Sequence, residues 1–130
     1  MIRRITTSPI LTAISSATLS EKFLVEDTRH MVLEMFTTGA TGTVKVKVSN
    51  AKEPDFSAAS TALNPWYYVD LKGLGDGAAT VTGSTGIALA TDTTAKGYAI
   101  NVDMAKWVAV DTEVLSAGSL SANLSRATNE

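Results

Sequence analysis

The residue with the clearest capacity for chemistry is His30, the single histidine of the chain. A Ser-His-Asp or Cys-His hydrolytic site needs such a base, because the imidazole takes the proton of the nucleophile. His30 directly precedes Met31 and Val32, at the start of an apolar segment. This position is typical of a surface histidine at the end of a strand. The sequence therefore predicts no catalytic residues, and we expect a protein that is not an enzyme.

Other patterns that could bind a ligand lack the spacing that the ligand requires. Gly73, Gly75 and Gly77 form a glycine-rich turn, but no Lys-Ser/Thr pair and no helix follow it, as a phosphate-binding loop requires. Gly83–Gly86 does not match the nucleophile elbow of hydrolases. The aspartates near turns do not follow the order of an EF-hand, and the chain has no cysteine. We expect no cofactor and no metal.

Aromatic side chains are concentrated in Trp66, Tyr67 and Tyr68, with Trp107 on a separate segment. An exposed row of aromatic rings can bind a sugar or a partner protein. If the segment is a strand, Tyr67 faces opposite to its two neighbours, so at least one ring lies in the core. Core packing is the preferred interpretation, contact with a partner is the second, and carbohydrate binding is the third.

The element that the residue order defines best is the segment Gly42–Asn50. Its apolar and polar residues alternate, and successive side chains of a strand point to opposite faces. Valine is also favoured on a pleated, half-buried surface. The pattern predicts a strand with a buried face (Val44, Val46, Val48) and a solvated face (Lys45, Lys47, Ser49).

Less regular apolar segments predict further strands. Gly97–Asp103 alternates with Tyr98, Ile100 and Val102 facing inward. Met31–Thr37 has a mixed pattern, for which we expect a strand, with a short helix as the alternative. Thr38–Gly42 is expected to be the turn of a hairpin that joins this strand to the valine strand. Gly118 is expected to separate two more strands, Lys106–Thr112 and Ser119–Leu124.

The length of 130 residues predicts one domain with its own core. About eight or nine short strands with frequent turns predict an all-β fold, namely a jelly-roll-like β-sandwich with an extended N-terminal arm. We place the arm at residues 1–20, where Pro9 prevents an early helix. The sandwich domain covers residues 21–126, and residues 127–130 are a polar tail. Asn50–Asn64 is expected to be a loop, with one helical turn near Phe56–Thr61.

Charge and hydropathy argue against two classes of partner. Eleven basic and thirteen acidic residues give a formal charge of −2, which does not favour nucleic acid as a partner. No run of about 18 apolar residues is present, so we expect no membrane span. Met1–Ala17 is too polar for a good secretion signal, and the lack of cysteine fits a reducing cytoplasm.

Several segments together resemble small structural proteins of tailed-bacteriophage virions. They are strand and turn segments between Gly42 and Leu124, not a catalytic motif. In order they are the Gly-Thr-Val-x-Val-x-Val strand from Gly42, Pro54–Ala59 leading to Asn64–Trp66, Val81–Ile87, Tyr98–Val102, Trp107–Val108 and Ser116–Leu120.

This resemblance implies a non-enzymatic virion protein that is assembled in the host cytoplasm. Its implied role is that of a capsid decoration (cement) protein, which binds the major capsid protein and stabilises the head. It also implies a homo-oligomer, and we expect a trimer. The alternatives are a tail or head-fibre component and, from the aromatic residues, a carbohydrate-binding module. The residues expected to contact partners lie in the arm and in the long loop: Arg3, Arg4, Ile5, Ile10, Leu11, Phe56 and Trp66.

Overall fold

The computed structural model of the protein describes residues 3–25, 28–75, 79–103 and 105–129. Every regular element in these ranges is a β-strand, which confirms the all-β prediction. The strands are β1 (Arg3–Ile14), β2 (Thr18–Leu19), β3 (Phe23–Leu24), β4 (Thr28–Ser49), β5 (Tyr67–Tyr68), β6 (Leu71–Gly73), β7 (Thr80–Val81), β8 (Ile87–Asp92), β9 (Ala95–Ile100) and β10 (Trp107–Asn129).

Some predictions concern residues that the structure does not describe. Met1 and Ile2 of the predicted arm, Gly77 of the glycine-rich turn and Glu130 of the predicted tail lie outside the described residues. For Arg3 and Arg4 the backbone alone is described.

The long strands β4 and β10 form the centre of one antiparallel sheet. They pair along their whole length, from Thr28 opposite Thr128 to Ser49 opposite Trp107. The other edge of β10 pairs in turn with β1, β2 and β3, and the other edge of β4 with β9, β8 and β5. β6 pairs with β9, and β7 pairs with β6. Hydrogen bonds thus join the ten strands of the described ranges into one sheet, whereas the prediction was eight or nine short strands in a sandwich.

A bulge in the middle of the sheet corrects the prediction of a hairpin at Thr38–Gly42. β4 continues through this segment, and β10 continues through Gly118, because each strand keeps pairing with the other on both sides of the bulge. Gly39 and Gly118 adopt positive φ values of 58° and 76°. The register shifts here, so both strands bend where the sequence predicted that the chain would reverse.

The same bulge changes which face of β4 is buried. Met31, Leu33 and Met35 are buried before the bulge, whereas Val44 and Val46 are buried after it. A shift of one residue moves the apolar set to the other face of a strand. The odd-numbered face of the first half of β4 and the even-numbered face of the second half therefore contribute to the same core.

The sheet curves strongly enough to bring the two ends of β4 close together. Met31 and Ser49 would lie about 60 Å apart in a straight strand. However, Met31 pairs with Ile100, Ser49 pairs with Trp107, and the connection from Ile100 to Trp107 spans at most about 25 Å. A sheet needs another layer to cover its apolar face. In the described ranges, buried side chains from β1, β4, β6, β8, β9 and β10 form one core cluster.

The segment expected to be an N-terminal arm lies along the domain as the outer strand β1. It pairs with the second half of β10, from Arg3 opposite Asn129 to Ile14 opposite Leu120. Leu11 is only 5% exposed and belongs to the core. β1 is therefore held both by backbone hydrogen bonds and by an apolar anchor.

Candidate functional site

The loop between β4 and β5, residues Asn50–Trp66, crosses the sheet face that was expected to be solvated. Lys47 and Ser49 are 7% and 1% exposed, so the prediction that they face water is wrong. The alternation itself is confirmed, since Val44 and Val46 are buried on the opposite face. The buried Lys47 donates to the backbone carbonyl of Phe56 in this loop. The loop therefore provides cover that the residue pattern of the strand does not reveal.

Lys47 is the centre of this covered face. Its Nζ lies 3.1 Å from Asp111 Oδ2 on β10 and donates to the carbonyl oxygen of Phe56 at 2.9 Å. The same nitrogen is 4.2 Å from the centroid of the Trp66 ring and 5.9 Å from that of Tyr68. A buried charge is tolerated when it is paired and hydrogen-bonded, and an aromatic face adds attraction. Lys47 thus joins β4, β10 and the loop.

Lys45 repeats this arrangement one step along the strand. Its Nζ is 2.9 Å from Glu113 Oε2 and 4.9 Å from the centroid of Tyr68. The hydrogen bond with Glu113 raises the pKa of Lys45 above its ordinary value, although partial burial opposes this shift. Trp66 and Tyr68 are in edge-to-face contact, with their centroids 5.1 Å apart. The ion pairs Lys45–Glu113 and Lys47–Asp111 were not predicted from the sequence. The two lysines are spaced two residues apart on β4, and the two acidic residues have the same spacing on the facing strand β10.

Hydrogen bonds within the Asn50–Trp66 loop fix its shape. The Asn64 side chain accepts from the backbone N–H of Asp55 and donates to its carbonyl, both at 2.8 Å. The indole N–H of Trp66 donates to the carbonyl of Ala58 at 2.8 Å. A turn closes between Thr61 and Asn64 through two backbone hydrogen bonds of 3.1 Å. Turns take the place of the helical turn expected near Phe56–Thr61.

The tip of this loop presents an apolar side chain to solvent. Leu63 is 98% exposed, although the turn that carries it is closed at both ends by hydrogen bonds. A single exposed leucine is common on protein surfaces. Leu63 differs from that case because its backbone is already ordered, so little conformational entropy remains to be lost when it binds. No pattern in the sequence points to this residue.

A second apolar feature lies at the outer edge of β1. Ile5 is 68% exposed. β1 ends the strand order on its side of the sheet, and no described strand pairs with its outer edge. Such an edge offers free N–H and C=O groups to another chain, and this strand is 12 residues long.

His30 lies near the start of β4 and is exposed, as predicted for a surface histidine at a strand end. Within the described residues, no group of three or more His, Asp or Glu side chains is arranged to hold a metal ion. The described residues also contain no helix with the length and apolar character to cross a membrane.

Comparisons with known proteins identify the fold alone. No protein-family model matches the chain, and no curated protein is similar to it in sequence. A solved structure does share the fold: that of the SPBc2 prophage-derived protein YomS, with a TM-score of 0.69. The match covers 98% of this chain and 96% of YomS, at 12% sequence identity. The chain therefore has the fold of a prophage-derived protein.

The structure separates the residues that were expected to contact partners. Ile5 is exposed, Ile10 is half-buried against the core, and Leu11 and Phe56 are buried. Trp66 is half-buried and packs against Lys47. Among the described contacts, no hydrogen bond, ion pair or ring contact joins the β1 residues to the loop residues. Two separate surfaces result, one at Ile5 and one at the loop tip.

Proposed function

We propose that the chain is a non-enzymatic structural protein of a tailed-phage particle. The observation that carries this proposal is the exposure of Leu63 on a loop whose shape is already fixed. An ordered apolar tip is suited to binding a preformed site on a neighbouring protein, because the complex forms with little further ordering. The outer edge of β1 near Ile5 offers a second contact, through main-chain hydrogen bonds.

The finer role that we propose is that of a capsid decoration protein, which binds the major capsid protein and stabilises the head. The fold shared with a prophage-derived protein supports a phage origin. A subunit that is present in many copies binds more strongly through multivalency. Weak contacts by single residues such as Leu63 and Ile5 are then enough to hold it on the particle. We also propose a trimer, and a curved sheet whose two halves face each other as in a jelly-roll-like sandwich.

Location on the particle is the first test. Purified virions of the phage that encodes the chain are labelled with a gold-conjugated antibody against it and imaged in negative stain. We expect label on the heads. Label on the tail would contradict the decoration role and support a tail component, and virions without label would overturn the proposal as a whole.

The role of the loop tip is tested by rebinding. Particles from a phage that lacks the gene are mixed with purified protein, and the bound fraction is measured after sedimentation. We expect Leu63→Ser to weaken binding about tenfold, as loss of a buried leucine contact does. Ala62→Ser changes the adjacent exposed residue of the same turn and should bind like the wild type. Equal binding by all three proteins would exclude the loop tip as a contact.

The oligomeric state is measured by light scattering coupled to size exclusion. We expect a mass three times the chain mass of 13.6 kDa. A mass equal to that of one chain would contradict the trimer, and the rebinding result would still decide the role of Leu63.

A further inference from the structure

Two adjoining cavities lie where the ends of β4 come together, and Asn101 lines both of them. Their volumes are about 310 Å³ and about 320 Å³. They share the wall residue Asn101, and we call the two cavities together the Asn101 groove. The two cavities lie close together because the sheet curves. In a straight β4 they would be far apart.

The first cavity combines an aromatic ring with an apolar floor. Tyr67 lines it and is 63% exposed, whereas its neighbours Trp66 and Tyr68 are half-buried against Lys47 and Lys45. Val48, Val69 and Ala105 also line this cavity. Of the three consecutive aromatic residues, Tyr67 is therefore the one whose ring is available to a ligand.

Amide groups stand at the rim of the same cavity. Asn50 and Asn101 both line it and are exposed. Asn101 Oδ1 accepts a hydrogen bond from the backbone N–H of Asp103 at 3.1 Å, which fixes the orientation of its side chain. In the described part of the chain, no hydrogen bond is made by the Asn50 amide, by Asn101 Nδ2 or by the Tyr67 hydroxyl. These groups are free to bind a ligand.

The second cavity continues the groove with side chains of both charges. Asp70, Asp103, Lys72 and His30 line it. Asp70 Oδ1 accepts from the backbone N–H of Gly83 at 2.7 Å, so this carboxylate is held in place. Carboxylate and amide oxygens accept hydrogen bonds from hydroxyl groups, and lysine and amide N–H groups donate to them.

We propose that the Asn101 groove binds a carbohydrate, with one sugar ring on Tyr67 and the next extending toward Asp103. A pyranose ring has an apolar C–H face, which suits an exposed aromatic ring, and a rim of hydroxyl groups, which suits the amides and carboxylates. A purely apolar ligand would leave these polar groups without partners, and that is costly. A strongly charged ligand is disfavoured because the second cavity contains both acidic and basic side chains.

A glycan array tests this proposal directly. The purified full-length protein is applied to an array of immobilised oligosaccharides, and the affinity for each bound glycan is then measured by titration. We expect Tyr67→Ala to weaken binding about tenfold, because an aromatic contact is lost. Tyr67→Phe keeps the ring and should bind within a few-fold of the wild type. Leu63→Ala changes an exposed apolar residue that does not line the groove and should leave glycan binding unchanged.

A second variant examines the polar rim. Asn101→Asp keeps the oxygen that accepts from Asp103 N–H but removes the Nδ2 donor, so we expect weaker glycan binding without a change in the urea midpoint. An array on which the wild type binds no glycan would overturn the proposal. Binding that Tyr67→Ala does not weaken would also overturn it. Either result is independent of the virion role, which depends on Leu63 and on particle binding.

Discussion

Lys47 Nζ lies 4.2 Å from the centroid of the Trp66 ring and 3.1 Å from Asp111 Oδ2. The first residue belongs to β4, the second to the end of the Asn50–Trp66 loop and the third to β10. One buried ammonium group thus fastens a long loop to the two central strands of the sheet. Leu63 lies in this loop, and Tyr67 follows directly after it.

Replacement of Lys47 by methionine is expected to destabilise the protein. The change leaves Asp111, whose side chain is 16% exposed, without its buried partner, and removes the hydrogen bond to Phe56. Loss of one member of a buried ion pair costs about 3 kcal/mol. Urea unfolding followed by tryptophan fluorescence measures this free energy.

Two further variants make the Lys47 experiment decisive. Lys52→Met changes an exposed lysine in the same loop and should cost less than about 0.5 kcal/mol. The double variant Lys47→Met/Asp111→Leu should be more stable than Lys47→Met alone, because no buried charge is left unpaired. If the double variant were less stable than the single one, the unpaired carboxylate would not be the cause.

Replacement of Leu11 or Ile5 of β1 by alanine is predicted to change the free energy of unfolding by different amounts. Leu11→Ala removes a core side chain that is 5% exposed and should cost about 2–3 kcal/mol. Ile5→Ala changes a side chain that is 68% exposed and should be close to neutral. Urea midpoints of the two variants provide the comparison. Equal, small effects would mean that β1 is not part of the folded domain in solution.

The bend of the sheet is predicted to depend on Gly118. A Cβ atom at this position would overlap the carbonyl oxygen of Gly39, and φ is +76°. Gly118→Ala is therefore expected to cost about 3 kcal/mol or more, from backbone strain and overlap combined. Gly39→Ala is the matched control, since φ is +58° but no atom of the described residues lies within 4 Å of the added Cβ. It should cost about 1 kcal/mol by thermal or urea unfolding.

Acid is predicted to loosen the loop through Asp55. The hydroxyl and the backbone N–H of Ser57 both donate to Asp55, and they lower the pKa of this carboxyl below its ordinary value of 3.8. Because the pKa is lower in the folded state, the charged carboxylate stabilises the fold above pH 3.8. This contribution disappears as the pH falls from 3.8 through the lower folded value.

An NMR titration of the Asp55 carboxyl carbon measures this effect. We expect a midpoint below 3.8 in the wild type and a higher midpoint in Ser57→Ala, which removes the hydroxyl donor. Ser60→Ala changes a loop serine that bonds to Trp66 and should leave the midpoint of Asp55 unchanged. An unshifted midpoint in the wild type would show that the Ser57 contacts are absent in solution.

Residue alternation by itself determined the strand character of the chain and the inward faces of several strands. Val44 and Val46 are buried as predicted, and so are Tyr98, Ile100 and Val102. This success has a local cause, since the direction of a side chain in a strand follows from its position in the sequence. Tyr67 is exposed and Tyr68 is half-buried, as alternation predicts, but neither these two residues nor Trp66 belongs to the core, so the prediction that at least one of these rings lies in the core is wrong.

The tertiary structure decided what lies above each face and where the strands bend. Lys47 is buried by a loop that begins after its own strand has ended. The alternation of residues within the strand does not show that a loop will cover one of its faces. Gly39 bends β4 without ending it, because β10 pairs on both sides of the bulge. Asn101 lines cavities at both ends of β4 because the whole sheet curves. These features arise from contacts between residues distant in the chain, and local patterns do not specify such contacts.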